Sequence, residues 1–562
     1  MAHTSALFES FPDTSQRILD DIEKQFQLDQ KDLVELTTQF LREFSLGLGE
    51  YNHPMAMIPT FVTGVPDGTE TGTFLALDLG GTNLRVCEVE LHGDHTFTLR
   101  QQKYKVSEAL KVGEAAALFD YLADSVDAFL TDHASSATPQ GDADLIPLGL
   151  TFSFPVEQTA LDEGKILTWT KGFNAKNSIG RDVVKLLQDA FDRKHLHVKC
   201  VALINDTVGA LLSRSYTAGA SLLGKCAIFG TGTNGAYLED VAKITKLGNS
   251  PAAAKGGKMI VNTEWGAFDN ARIVLPSTPF DNKLDRESIN PHFQAFEKFI
   301  SGMYLGEITR NLLLALMDAT PKPILFGGKS TPALNSHYGL DTAVMSQVEE
   351  AWEGIQEKDT VADIKQGDKT MESTSPEATA IVNGTAAPAQ PKVTLKFDPE
   401  STQNEMKGPS SLPTSYSPQQ LAALERIRAV LVRELGFQSP EDVTLRDAAI
   451  VRWACALVAE RAAKLSSCAV AAVLVQTGYA KLGGGVVEGA DKTRIGVGVD
   501  GSLIQHYPRF QAQVMQSLRG LVGKDVEERV ELGMAKDGSG VGAALCALMA
   551  IKQHPDILNQ GS

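Results

Sequence analysis

Cysteine is scarce in this chain, with six in 562 residues, and none falls in a C-x-x-C pair. Cys87, Cys200, Cys226, Cys455, Cys468 and Cys546 are scattered. That argues against a disulfide scaffold or a structural zinc site and fits a reducing compartment. Long apolar runs are missing too: nothing approaches the roughly 20 residues a membrane-crossing helix needs, so no membrane insertion is expected. Met1–Ser15 shows no basic-then-apolar pattern, so a secretory leader is not expected and the cytosol is the default location. Basic excess is also absent, with a net charge of −17. Phosphate backbones need a basic surface, so general nucleic-acid or anionic-membrane binding is disfavoured. A local pocket lined by N–H groups is not.

The chain is long enough for two or more domains. One stretch stands out: the apolar run Phe74–Leu79 with Asp78 inside it, the corner Gly80-Gly81-Thr82-Asn83, and a second run from Leu84-Arg85-Val86 to Leu91. This reads as strand, tight turn and returning strand. Glycines let a ligand approach backbone N–H groups, and successive N–H groups can form an anion-binding concavity. Asp78 stands where a carboxylate could hold the hydrated Mg²⁺ of a nucleotide. An ordinary hairpin reads equally well from this corner alone.

A second corner echoes the first. Cys226–Phe229 predicts a strand, broken by Gly230-Thr231-Gly232-Thr233-Asn234-Gly235, with a return over Ala236–Leu238. Two such corners suggest a duplicated α/β unit with a cleft between the halves. Helices are predicted over Asp13–Phe26, from about Asp29, through Leu118–Phe129, over Asp182–Phe191 and Val208–Tyr216, and as one long helix from Pro291 to Met317. Later come helices over Leu421–Leu435 and Leu445–Leu465, a strand over Val470–Gln476, a strand over Ile495–Gly501, and a glycine loop leading into a helix over Ala543–Ile551. Residues 356–418 are rich in Pro, Ser, Thr, Ala, Glu and Lys, cannot bury enough apolar area to offset ordering, and read as a disordered surface insertion. The near-match to a phosphate-binding loop at Gly219–Cys226 puts cysteine where Ser or Thr belongs and precedes a strand. The two G-x-G-x-x-G runs, at Gly230 and Gly496, lack the strand–glycine–helix context of a dinucleotide site.

Asp206 is the sharpest candidate. It follows the buried strand Cys200–Ile204, where open α/β sheets place ligands, and a carboxylate there could accept a proton from a hydroxyl. The competing reading is a helix N-cap. Ser153, Thr170, Lys171, Asn205, Asn234, Glu264 and Glu297 are hydrogen-bonding groups of the kind a sugar needs, since each buried hydroxyl must be paired. Singly, each would more often be a surface or capping residue.

Taken in order, Leu75–Val86, Leu150–Pro155, Trp169–Phe173, Leu203–Thr207, Gly230–Asn234, Asn262–Gly266, Phe296-Glu297-Lys298 and Gly302–Glu307 resemble the successive motifs of the hexokinase family. Val499-Asp500-Gly501-Ser502 and Asp537-Gly538-Ser539-Gly540 resemble its nucleotide-side glycine motifs. Within the family, Met57–Thr63 and Phe152–Gln158 are most similar to fungal glucokinases. The resemblance implies an α/β, two-lobed actin-like ATPase fold, each lobe a ribonuclease-H-like mixed sheet flanked by helices. It implies transfer of the γ-phosphoryl of MgATP to the 6-hydroxyl of glucose or another aldohexose. Asp206 would be the base, with Lys171 beside it as the one cation. Ser153, Thr170, Lys171, Asn205, Asn234, Glu264 and Glu297 would hold the sugar. Asp78 would face Mg²⁺ through water. Gly80, Gly81, Thr82, Asn83 and Arg85 would meet the phosphates from one lobe and Gly230, Thr231, Gly232 and Thr233 from the other, with Gly501, Ser502 and Ser336 toward the adenosine.

The expected domain plan has N-terminal helices in 1–70 on a large lobe, a small lobe over 71–207, and the large lobe over 208–355 and 419–562, its last helix returning to the small lobe. The 356–418 insertion is either a segment for a regulatory partner or a retained intron. A non-catalytic sugar sensor on the same fold is the alternative function. Such a sensor would be expected to lose the base, Lys171 or a phosphate corner, and all three are present.

Overall fold

The computed structural model describes residues 13–80, 83–133, 145–169, 173–219, 225–354, 380–384, 416–485, 487, 493–535 and 537–558. Its strands in chain order are β1 (Ile58–Pro59), β2 (Thr71–Leu79), β3 (Asn83–His92), β4 (Phe97–Lys105), β5 (Ile146–Phe152), β6 (Val156–Ala160), β7 (Glu163–Ile166), β8 (Val198–Ile204), β9 (Lys225–Phe229), β10 (Thr233–Asp240), β11 (Lys258–Asn262), β12 (Ala380–Gly384), β13 (Ile495–Asp500) and β14 (Val530–Met534). They form two six-stranded sheets, ordered β12-β4-β3-β2-β5-β8 and β1-β11-β10-β9-β13-β14, and the small β6-β7 ribbon.

Without its outermost strand, each sheet has the same plan. Three antiparallel strands run as a meander, β2-β3-β4 or β9-β10-β11. Two parallel strands then join the other side of the first, β5 and β8 or β13 and β14. This is the duplicated unit that the two glycine corners suggested. The central strand β2 is buried at every position from Phe74 to Leu79, as expected of a strand covered on both faces. One face packs on helices Ala115–Asp132 and Val183–Arg193. The other packs on helices Asp206–Ala218 and Gly538–Gln553. The second sheet sits in a larger core with helices Gln30–Gly49, Gly302–Met317, Leu445–Gln476 and Phe510–Val522.

In each half a helix follows the fifth strand: Asp206–Ala218 after β8 and Gly538–Gln553 after β14. These two helices cross between the lobes, closely enough that a Cβ on Gly209 would lie 2.7 Å from the Gly538 carbonyl, and one on Gly542 would run into the Gly209 backbone. Only glycine permits that approach. Both helices begin at the edge of the same cleft, so the crossing positions the site.

Three expectations change. Val470–Gln476 is not a strand; one helix runs unbroken from Leu445 to Gln476. Its apolar run is alanine-rich and buried all round, and apolar periodicity alone does not separate a buried helix from a strand. The single helix Pro291–Met317 is two, Ala295–Ile300 and Gly302–Met317, parted at Ser301 in extended conformation. Within 356–418, Ala380–Gly384 forms strand β12, antiparallel to β4, and Ser417 caps a helix that begins at Pro418. The β-branched pair Ile381-Val382 suits a strand, and β4 offers an open edge to pair with. The rest of that segment, 356–379 and 385–415, lies outside the described residues. No helix among the described residues is long and apolar enough to cross a membrane.

Candidate active site

The first corner is set by register. β2 and β3 pair Asp78 with Arg85 and Leu79 with Leu84, so the chain reverses between Leu79 and Leu84. Gly81 and Thr82 lie outside the described residues, and of Asn83 only its backbone place opening β3 is described. Directly opposed strand residues bring their side chains together. Arg85 accordingly donates from Nη2 to Asp78 Oδ2 at 2.7 Å, with the carboxylate buried. Burial opposes the Arg85 charge, but Asp78, then Cys87 and Asp537, outweigh it and hold the guanidinium above its ordinary value.

At the second corner, β9 and β10 pair Phe229 with Thr233 around Gly230–Gly232. Three backbones converge there. Gly302 N–H donates to the Gly230 carbonyl at 2.7 Å, and Met303 N–H to that of Thr231 at 3.3 Å. A Cβ on Gly230 would lie 3.0 Å from Gly501 Cα, and Gly501, at φ 115°, leaves no room for a side chain against the Phe229 backbone. The strand–turn–strand therefore sits under the start of one helix and beside the end of β13. Exposed Thr231 is left at the lip.

Three of the sugar-type residues gather around adjacent residues of β10, Glu297 on Thr233 and Glu264 on Asn234. Glu297 Oε2 accepts from Thr233 N–H at 3.1 Å and would lie 2.7 Å from a Cβ on Gly232. Asn234 Nδ2 donates to Asn262 Oδ1 at 2.8 Å and to Glu264 Oε1 at 3.3 Å. Asn262 Nδ2 donates to the same Glu264 oxygen at 2.7 Å, and Glu264 N–H returns to Asn234 Oδ1 at 3.1 Å. Glu264 is in the left-handed region, at φ 55°. A non-glycine residue there is strained by about 1–3 kcal/mol and persists only when its surroundings hold it. Behind it, Trp265 Nε1–H donates to Thr233 Oγ1 at 2.9 Å, and its ring lies on Gly235, where any side chain would collide.

On the opposite lobe, Ser153 is buried just past the end of β5. Trp169 and Phe173 pack with Phe152 and Phe154 in an aromatic cluster, and Trp169 Nε1–H donates to Ser178 Oγ at 2.7 Å. These anchor both flanks of the loop that carries Thr170 and Lys171, which themselves lie outside the described residues.

Asp206 is not the N-cap. Asn205 is: its backbone is extended and its Oδ1 accepts from Thr207 N–H at 2.9 Å. Asp206 is the first helical residue, and its Oδ1 accepts from Thr207 N–H at 2.7 Å and from the Thr207 hydroxyl at 3.3 Å. The helix N-terminus favours a carboxylate in that position. Across the cleft, Asp500 ends β13 and accepts from Gly501 N–H at 2.7 Å. Burial first, then the charges of Asp206 and Asp537, push the Asp500 carboxyl above its ordinary value, while the Gly501 N–H and Arg85 oppose the rise. The four aspartates and Arg85 therefore share one field at the meeting of the lobes.

Ser502 opens the short helix Ser502–His506 beside Gly501. Ser336 is exposed, and its hydroxyl donates to the Pro332 carbonyl within its own turn at 2.8 Å. Sequence reasoning did not single out Asn262, Gly302, Asp500 or Asp537 as site residues. All four stood inside the quoted motifs, but the part Gly302 plays is recognised only when three backbones are seen to meet.

The fold and the cleft define a two-lobed phosphotransferase of the actin-like ATPase class. Two hexokinase family models match the chain, one over residues 18–216 and one over 225–387 and 390–549. The glucokinase of Aspergillus niger is 36% identical over 570 aligned residues, covering 96% of this chain and 99% of that protein. The hexokinase of Emericella nidulans is 35% identical, covering 97% of this chain and 93% of the other. Among solved structures, Schistosoma mansoni hexokinase complexed with glucose superposes with a TM-score of 0.70 at 30% identity, covering 96% of this chain and 99% of that one. The chain belongs to the hexokinase family, and it is an ATP-dependent glucose kinase.

Proposed function

We propose that this chain phosphorylates glucose at its 6-hydroxyl, with Asp206 as the general base. The observation that carries this is the division of labour at the start of its helix. Asn205 supplies the cap, both bonds of Asp206 fall on Oδ1, and Oδ2 is left to take the hydroxyl proton as the oxygen attacks the γ-phosphorus. Phosphoryl transfer asks little covalent chemistry of the protein, so positioning and charge dominate. In this reading Glu264, Asn234 and Glu297 accept and donate to the sugar hydroxyls from the large lobe, while Ser153, Thr170, Lys171 and Asn205 close on it from the small lobe. Closure excludes water, the competing acceptor. The corners Gly80–Asn83 with Arg85, and Gly230–Thr233, hold the phosphates from two sides. Gly501 and Ser502 receive the adenosine.

The donor set also fits Mg²⁺. Asp78, Asp500 and Asp537 are hard oxygen donors, and the Asp500 carboxyl is pushed up by burial first and by the charges of Asp206 and Asp537 second, the second of which a divalent cation would relieve. Asp78 would hold the ion through water. When bound, Mg²⁺ neutralises charge between the β- and γ-phosphates. The 71–207 and 208–355 plus 419–562 division into lobes and the cytosolic setting belong to the same reading. The Phe40 ring stacked on Phe268 supports an N-terminal pair of helices docked on the large lobe.

A coupled ADP-release assay with glucose, mannose and fructose tests the reading. Glucose-dependent ADP release that yields glucose 6-phosphate is expected. Glucose binding without turnover would contradict it.

A further inference from the structure

Lys246 lies in a one-turn 3-10 helix, Thr245–Leu247, in the connection between β10 and β11. Its ammonium donates to three backbone carbonyls, those of Gly47, Ala56 and Met57, each at 2.7 Å. An ammonium has three hydrogens to give, so its capacity is filled. The Tyr51 ring stands 5.2 Å away on the same group. One of the carbonyls belongs to the last turn of helix Gln30–Gly49, where backbone acceptors lack intrahelical partners. The other two lead directly into β1.

β1 is weak by construction. It has two residues, and Pro59 has no N–H to give to the ladder. It nevertheless forms the edge of the second sheet, pairing Ile58 with Asn262 and Pro59 with Val261. Met57 N–H donates to the Thr263 carbonyl at 3.1 Å. Met57 at φ 46° and Glu264 at φ 55° are both left-handed, and the carbonyl that accepts this hydrogen bond belongs to the peptide joining Thr263 to the glutamate. Such conformations persist only where the surroundings over-determine them. On its other side the same loop meets the small lobe. Tyr51 is held above its ordinary phenol value by burial first and by Glu157 of β6 second.

We propose that Lys246 is a positioning residue for the sugar site. Its ammonium ties the end of the Gln30–Gly49 helix to Ala56 and Met57, and β1 then fixes the β11 backbone that presents Asn262 and Glu264. The inference rests on Glu264 being a sugar ligand. A carboxylate displaced by a fraction of an ångström binds the sugar less well while the phosphate corners are untouched.

The test uses the full-length chain and the variants Lys246→Met, Lys246→Arg and Glu264→Gln, with KM for glucose and ATP, kcat, and glucose Kd by calorimetry. Lys246→Met is expected to raise the KM and Kd for glucose about tenfold, with ATP KM and kcat within about twofold. Lys246→Arg, which keeps the charge and several donors, should recover most of the loss. If Lys246→Met does not fold, Lys246→Gln replaces it with the same expectation. A folded variant with unchanged glucose KM, or with glucose and ATP KM raised alike, overturns the proposal. Glu264→Gln separates the two readings. If it leaves glucose affinity intact, the sugar-site assignment fails; if it weakens glucose while Lys246→Met does not, only the role of Lys246 fails.

Discussion

The two halves of this kinase share a strand order, and they place an aspartate at matching points. After β8 comes Asp206, and after β14 comes Asp537, each at the start of a helix that crosses the other. What precedes them differs. In the first half Asn205 takes the cap and Asp206 enters the helix in ordinary conformation. In the second half Asp537 itself stands at the cap position, left-handed at φ 46°. The corners differ in the same way. The first half carries its carboxylate on its first strand, Asp78, paired to Arg85. The second half has apolar Ile228 there and its carboxylate one strand over, at Asp500. A repeated topology thus supplies equivalent positions, and the local residue in front of each sets how its aspartate is presented, which is the basis for proposing Asp206 as the base.

That comparison can be strained at several points. The largest effect is expected from Gly501→Val. A branched side chain at φ 115° against the Phe229 backbone combines backbone strain with overpacking, for a loss of about 4 kcal/mol by chemical denaturation and a steep rise in ATP KM. Next is Gly542→Val, which forces the two pseudo-equivalent helices apart. It should cost about 2–3 kcal/mol, and ATP and glucose KM should both rise, since the crossing positions both corners. Asp500→Asn should stabilise the protein by about 1 kcal/mol at pH 7 while lowering kcat, because a raised carboxyl opposes folding once it ionises. The gain should shrink as pH falls toward the ordinary carboxylate range, because the raised Asp500 carboxyl of the folded protein takes up its proton before that of the unfolded chain.

The smallest effect concerns Lys225, buried at the start of β9 with Tyr479 over its ammonium. Burial first, and Lys258 second, push it down to about 8. Between that value and the ordinary lysine value the unfolded chain binds more protons than the folded one. Its contribution to stability therefore grows as pH rises through this window and is lost as pH falls through 8. Relative to Lys225→Met, the unmodified protein should gain about 1 kcal/mol from pH 8 to pH 9 in parallel denaturation curves. A constant difference would contradict the assignment.

Much of this was legible in the sequence for physical reasons. β2, β3, β9 and β10 announce themselves as apolar runs around glycine corners, and the first helices by their periodicity. The polar groups Asn234, Glu264 and Glu297 were identifiable from motif resemblance, and the structure joins Asn234 to Glu264 and Glu297 to Thr233. The misread elements fail where apolar content outlasts its pattern. Val470–Val475 is apolar at every position, so neither period shows. The break at Ser301 has no proline, and comes from Gly302 closing on Gly230. Lys246 was invisible for another reason: its partners are backbone carbonyls 189, 190 and 199 residues away, and a carbonyl has no sequence signature. That Asn205 is the cap, leaving Asp206 for the proposed role of base, likewise needed the hydrogen bonds, because either residue caps helices well.

The central claim is that one of two pseudo-equivalent aspartates is the base. Asp206→Asn and Asp537→Asn, compared for glucose Kd by calorimetry and for kcat by coupled ADP release, test it most directly. Asp206→Asn is expected to keep glucose affinity within about threefold and to lose kcat by about 10²–10⁴-fold, while Asp537→Asn retains kcat within about tenfold. Turnover by Asp206→Asn within tenfold of the unmodified enzyme, or an equal loss in both variants, would contradict the account.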